Sequence, residues 1–182
     1  MQDYFLLYFF KVIVMKNDLS RFNTLSYSNR QLSILVIVRV VVGWHIFYEG
    51  LSKLLNPNWS SLAYLMDSRG FFAGFFYELA SNPSVLKAVD ILNAWGLLLI
   101  GLCLMVGLFE KIASLSGMIL IGLYYLSHPP FIGLTYAAPG EGSYFIINKN
   151  IIEFFAIAVN LYFPNSRIVG LDRFIYLAKN KK

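Results

Sequence analysis

Charge is what this sequence has least of. Only 14% of its 182 residues are Asp, Glu, Lys or Arg, against roughly a quarter in an ordinary soluble domain. So little charge leaves too few polar groups to cover a water-soluble globule. A cytosolic enzyme, a disordered tail and a nucleic-acid-binding module are therefore excluded. Cysteine occurs once, at Cys103, so there is no internal disulfide, no CxxC redox pair and no cysteine zinc site. Histidine occurs twice, at His45 and His128. Neither HExxH nor two His at ligand spacing is found, and the two lie in different helices, so no metal and no haem is expected. A phosphate-binding glycine loop is missing too. The net charge of +5 makes no basic stripe, because the cations gather near the two ends of the chain, so no nucleic-acid partner is expected.

What the chain does have is apolar length. Hydrophobic residues make up 58% and aromatics 17%. Four segments approach the roughly 20 residues needed to cross a bilayer. They run over about 32–48, 88–109, 112–127 and 144–163. Backbone groups in lipid must bond within their own segment, which makes these helices. The expected fold is all-α, a polytopic membrane four-helix bundle. Short interfacial helices are expected in the long aromatic loop 51–87, and an ordered cap in 129–143. Ten Lys and Arg fall before the first span, in the second connection and in the tail, and four on the opposite side. The positive-inside rule then puts both termini in the cytoplasm of a bacterial inner membrane. The chain divides into an extension (1–29), a membrane domain (30–175) and a basic tail (176–182). Residues 1–14 are apolar but too short to span, and no basic stretch precedes them, so a signal peptide is not expected.

Ionisable groups inside a bilayer are costly, and each calls for a partner and a reason. At ~100° per residue, Arg39, His45, Glu49 and Lys53 share one arc of about 120° on the first span. Lys149, Asn150, Glu153 and Asn160 share one of about 100° on the fourth. Asp90 and Asn93 open the second span. Matched depth lets His45, Glu49, Asp90, Asn93, Asn150 and Glu153 converge in one cavity at the outer side, with Arg39 meeting Asn160 on the inner side. The plainer account is that these groups glue helices together, with Glu49–Lys53 and Lys149–Glu153 as mutually neutralising pairs. Gly96, Gly101, Gly107, Gly117 and Gly122 suit close helix contact. Cys103 is read as packing, and His128 as a rim residue.

Certain of these residues stand in a familiar pattern. The stretch RVVVGWHIFYEGLSKL, with Arg39, Gly43, Gly50 and Lys53, resembles the opening span of the DoxX family. NAWGLLLIGLCLMVGLFEKIAS resembles that family's glycine-rich second span, with Asn93 where an acidic residue is common. RIVGLDRFI, with Gly170 and Asp172, resembles its closing G-x-D element. The resemblance covers about residues 30–175. NPNW and NKNIIEFFA look closest to the DoxD branch, the small membrane subunit of thiosulfate:quinone oxidoreductase.

That resemblance implies a four-helix membrane protein passing electrons from a sulfur compound to quinone, a diffusible lipid-soluble acceptor. Its partners would be membrane lipid and a second redox subunit or another copy of itself. Quinone reduction needs proton donors, and His45, Glu49 and Glu153 are the expected catalytic groups, with Tyr48 beside them. An anionic substrate needs cations, which Lys53, Lys149 and Arg69 offer. Arg39, Trp59, Asn93 and Asn150 complete the expected binding set. Other four-helix relatives act as assembly factors or cargo receptors. A non-catalytic membrane scaffold or chaperone therefore stands as the alternative, with transport of a small solute as a third.

Overall fold

A computed structural model describes residues 27–137 and 145–179. The expectations for 1–14, for most of the extension, for the Pro/Gly-rich stretch around 138–144 and for the last three tail residues lie outside the described residues. Within them the chain is all-helical, with no strand. Its elements are α1 (Asn29–Leu55), α2 (Leu62–Met66), α3 (Ala73–Ser81), α4 (Pro83–Val106), α5 (Glu110–Ser127), α6 (Lys149–Tyr162) and α7 (Asp172–Lys179). α1, α4, α5 and α6 pack in a ring, α1 on α4, α4 on α5, α5 on α6 and α6 on α1. α2 and α3 cover one end, over a small core of Leu65, Phe76 and Ala80. α7 sits at the other.

The helix boundaries follow local chemistry and differ from the spans read in the sequence. α1 begins in a capping box, Ser28 and Gln31 each bonding the other's backbone N–H, and runs to Leu55, well past Tyr48. α4 starts at Pro83, with the Asn82 side chain taking the N–H groups of Ser84 and Val85. It stops at Gly107, whose φ of +66° is left-handed. Leu108 N–H then returns to the Cys103 carbonyl and Gly107 N–H to Leu104, a Schellman stop. The fourth span falls short of expectation. Residues 145–148 are not helical, because Asn148 caps the helix that starts after it. The remaining 14 residues of α6 reach about 21 Å at 1.5 Å per residue. Among the described residues two helices, α1 and α4, are long and apolar enough to cross a membrane.

α1 and α4 meet backbone to backbone. A Cβ on Gly101 would lie 2.3 Å from Phe47 N and 2.6 Å from Gly43 O. One on Gly50 would lie 2.4 Å from Leu98 N. Backbone cannot step aside as a side chain can, so Gly101→Ala has to separate the two helices. Its thermal midpoint should fall, for a loss of about 1–3 kcal/mol. Gly96→Ala is the control, since nothing lies within 4 Å of its added methyl. It should hold or slightly raise stability, alanine being the better helix former.

Candidate functional site

The polar stripe of α1 runs from the centre of its buried face to the rim. Leu32, Arg39, Gly43, Ile46 and Gly50 are buried, which sets the centre of that face. At ~100° per residue, Lys53, Glu49 and His45 step progressively away from it. Side-chain exposure follows the same order: 2% for Arg39, 13% for Lys53, 35% for Glu49 and 57% for His45. One face thus supplies a buried cation, two intermediate groups and an accessible imidazole.

At the end covered by α2 and α3, Lys53 is the hub. Its Nζ donates to Glu49 Oε1 at 2.9 Å, Asn93 Oδ1 at 2.8 Å and the Tyr124 hydroxyl at 3.0 Å. The Tyr124 hydroxyl in turn donates to Asn93 Oδ1 at 2.9 Å. The Trp59 and Tyr124 rings each lie 5.1 Å from the ammonium, within cation–π range. Three donors meet three acceptors, so the charge is fully used within the fold. Asn93 therefore orients a lysine here, and Trp59 covers the same lysine.

His45 and Glu153 form a separate pair. His45 Nδ1 lies 2.7 Å from Glu153 Oε1, the ring N–H donating to the carboxylate. The pair borders a shallow open groove of about 290 Å³ between α1 and α6. Val41, Val42, Ile152 and Ala156 wall it, and Lys149 stands at its edge. The arrangement can exchange protons: an exposed imidazole is held by a shielded carboxylate beside an apolar channel.

Four other residues singled out in the sequence lie elsewhere: Asp90 and Asn150 from the expected cavity, and Tyr48 and Arg69 from the expected substrate site. Tyr48 is one residue from Glu49, hence about 100° around the helix, and stacks outward on Trp44 at 6.2 Å. Asn150, half-buried in the first turn of α6, makes no bond to either cluster. Asp90 accepts from Ser60 Oγ, Ser61 N–H and Ser61 Oγ, tying the loop after α1 to α4. Arg69 is held by Asp67 at 3.3 Å.

Arg39 also finds a partner other than Asn160. The Asn160 amide bonds its own helix at the Ala156 carbonyl. Arg39 Nη2 donates to the Val169 carbonyl at 2.6 Å, and Nη1 lies 4.0 Å from Glu110 Oε2. Glu110, 1% exposed, also accepts the N–H groups of Asn165 and Ser166 at 2.8 and 2.7 Å. Asp172 closes this knot by accepting from Phe109 N–H, Glu110 N–H and Ser166 Oγ. In the sequence Glu110 stands beside Lys111 in a short charged turn between two spans. The one signal for Asp172 was the G-x-D element.

His128, just past the end of α5, is more than a rim residue. Its ring is stacked between Tyr64 at 3.9 Å and Tyr136 at 4.6 Å. Nδ1 lies 3.0 Å from Ser127 Oγ, and Nε2 lies 4.0 Å from Asp67 Oδ2. Burial pushes the imidazole below its ordinary value of 6.5, Asp67 opposing that drop and Arg69 adding to it. The unfolded chain therefore takes up the proton first as pH falls. The contribution of His128 to stability is complete above 6.5 and is lost on acidification below that value. Thermal unfolding between pH 8 and 5 should show a loss of stability below pH 6.5, and His128→Phe should flatten part of that slope.

Among the described residues no group of three or more His, Cys, Asp or Glu is placed to hold a metal ion. No family model, no curated protein and no solved structure matches this chain.

Proposed function

We propose that the chain is a multi-pass membrane protein of the DoxX type, with the α2–α3 end outside and both termini in the cytoplasm of a bacterial inner membrane. Its large apolar exposure supports this. Ile37, Val41, Leu92, Leu99, Ile119 and Phe155, on four different helices, are all exposed, and water is a poor solvent for such a belt. A core helix of a soluble domain is mostly covered, yet only 22% of the most apolar window of α1 and of α4 is buried. α6 is the shortest of the four proposed spans, and local thinning or snorkelling at its ends accommodates it.

Within that setting we read the protein as the membrane subunit of a quinone-linked oxidoreductase, as the DoxD branch implies. The His45–Glu153 pair at the mouth of an apolar groove carries this reading. The acceptor needs two electrons and two protons at its ring oxygens. A sulfur donor such as thiosulfate supplies the electrons, two molecules joining through an S–S bond. His45 supplies protons beside the groove and Glu153 holds the ring and its charge. Among the described residues nothing stores electrons, so a second subunit is part of the proposal. The test is reduction of a short-chain quinone by the full chain, co-purified with its partners in lipid, with thiosulfate or a dithiol as donor. Reduction that depends on His45 supports the reading, and no reduction overturns it. The scaffold alternative draws on the Lys53 hub, where the chain's own groups use up every bond of a half-buried cation.

A further inference from the structure

α7 wears its amphipathic pattern inside out. Leu171, Phe174, Ile175 and Ala178 recur at the i, i+3, i+4, i+7 spacing of one helical stripe. On a water-soluble protein that stripe would face the core. Here all four are exposed, Phe174 by 67%. Asp172, Arg173 and Tyr176 on the other side are half-buried. The polar face does the docking: Asp172 takes the N–H groups of Phe109 and Glu110, and the N–H groups of Leu171 and Asp172 return to the Val106 and Gly107 carbonyls. The helix is thus fixed to the α4–α5 turn with its apolar side outward.

We propose that α7 is a lipid-interface anchor, its Leu171–Phe174–Ile175–Ala178 stripe seated at the boundary between acyl chains and headgroups. The inference rests on the membrane reading above. Two observations select lipid as the occupant. The stripe continues an exposed apolar surface, since Phe109 and Ile112 at the turn that holds α7 are exposed as well, as are Tyr162 and Phe163. The exposed cations Arg167 and Lys179 flank it, the arrangement that lets long side chains reach headgroups while the apolar side sinks. Arg167 lies 5.6 Å over the Tyr176 ring, an amphipathic neighbour suited to the same depth. Seated this way, α7 ties the Arg39–Glu110–Asp172 knot to the membrane surface.

Nitroxide labelling of the full chain in phospholipid vesicles tests this, on a Cys103→Ala background. Labels go at Phe174→Cys, at Leu99→Cys on the exposed face of α4 and at Asn58→Cys in the loop after α1. Collisions with oxygen, which concentrates in lipid, are compared with those of a water-soluble nickel chelate. The expected result is a Phe174 label favouring oxygen as the Leu99 label does, and an Asn58 label favouring nickel. A Phe174 label favouring nickel, with Leu99 still favouring oxygen, overturns the anchor and leaves the membrane reading standing. A Phe174 label shielded from both means protein covers the stripe, residues 1–14 or a second copy, and overturns it too. A Leu99 label favouring nickel overturns the membrane reading and the anchor together.

Discussion

Replacing Arg39 with leucine should destabilise the protein by about 3–5 kcal/mol, the usual effect of removing one member of a buried ion pair. The guanidinium and Glu110 are 2% and 1% exposed, and Asp172 adds a second carboxylate to the same knot. Removing the cation leaves that negative charge with backbone amides and the Ser166 hydroxyl alone. The Val169 carbonyl loses its 2.6 Å donor as well. Adding Glu110→Gln to Arg39→Leu should restore a large part of the loss. A glutamine oxygen still accepts from Asn165 and Ser166, and the unpaired charge is gone. Arg39→Lys should rescue incompletely, because an ammonium lacks the planar fork that reaches Val169 and Glu110 together. Thermal unfolding of the wild type, Arg39→Leu, Glu110→Gln and the double variant in one detergent makes a double-mutant cycle, and the strong non-additivity is the result to look for. Additive losses, or a normal Arg39→Leu, would mean the pair contributes nothing as a pair.

His45→Phe and Glu153→Gln should leave folding nearly unchanged and lower the proposed quinone reduction by about 10²–10⁴-fold, the usual range for removing a general acid or its support. His45 is exposed on the groove; its loss leaves the shielded Glu153 carboxyl without that donor, but the carboxyl borders the same open groove, where water can take the donor's place. Glu153→Gln keeps the shape but cannot stabilise the imidazolium. Glu49→Gln should have the milder effect. Its carboxylate is engaged by Lys53 at 2.9 Å, so it bears on the hub more than on the groove. The sequence set both Glu49 and Glu153 beside His45, and of the two it is Glu153 that bonds the imidazole. Steady-state rates with unfolding curves for all three variants check this. Three fully active variants would remove the catalytic reading and leave these groups as helix glue.

The polar stripe of α1 was legible because a helix fixes the angle of every residue from spacing alone. With Arg39 on the buried face, Lys53, Glu49 and His45 had to grow more exposed in that order. The glycines legible as close-packing sites divide on the same logic of contact. Gly101 meets backbone, whereas Gly96 meets nothing within 4 Å; Gly43 and Gly50, marked only by the family pattern, meet backbone too. Spacing along one helix says nothing about partners on another. Nothing in the sequence marked Glu110 as buried; the segment 163–172 folds across the α4–α5 turn and places Asn165, Ser166 and Asp172 around it. Tyr124, inside an apolar run, carried no mark of the lysine it would accept from. The α6 boundary turned on Asn148, whose side chain accepts from Ile151 N–H and starts the helix there, though the apolar run begins earlier. α7 shows the division most sharply. Its apolar period could be read directly, but which face would turn outward depended on the bonds of Asp172 to a turn more than sixty residues earlier. Composition and helical period thus determined the class, the polar stripe and its order of burial. Long-range hydrogen bonds decided which charges pair, where helices begin and which apolar face is turned outward.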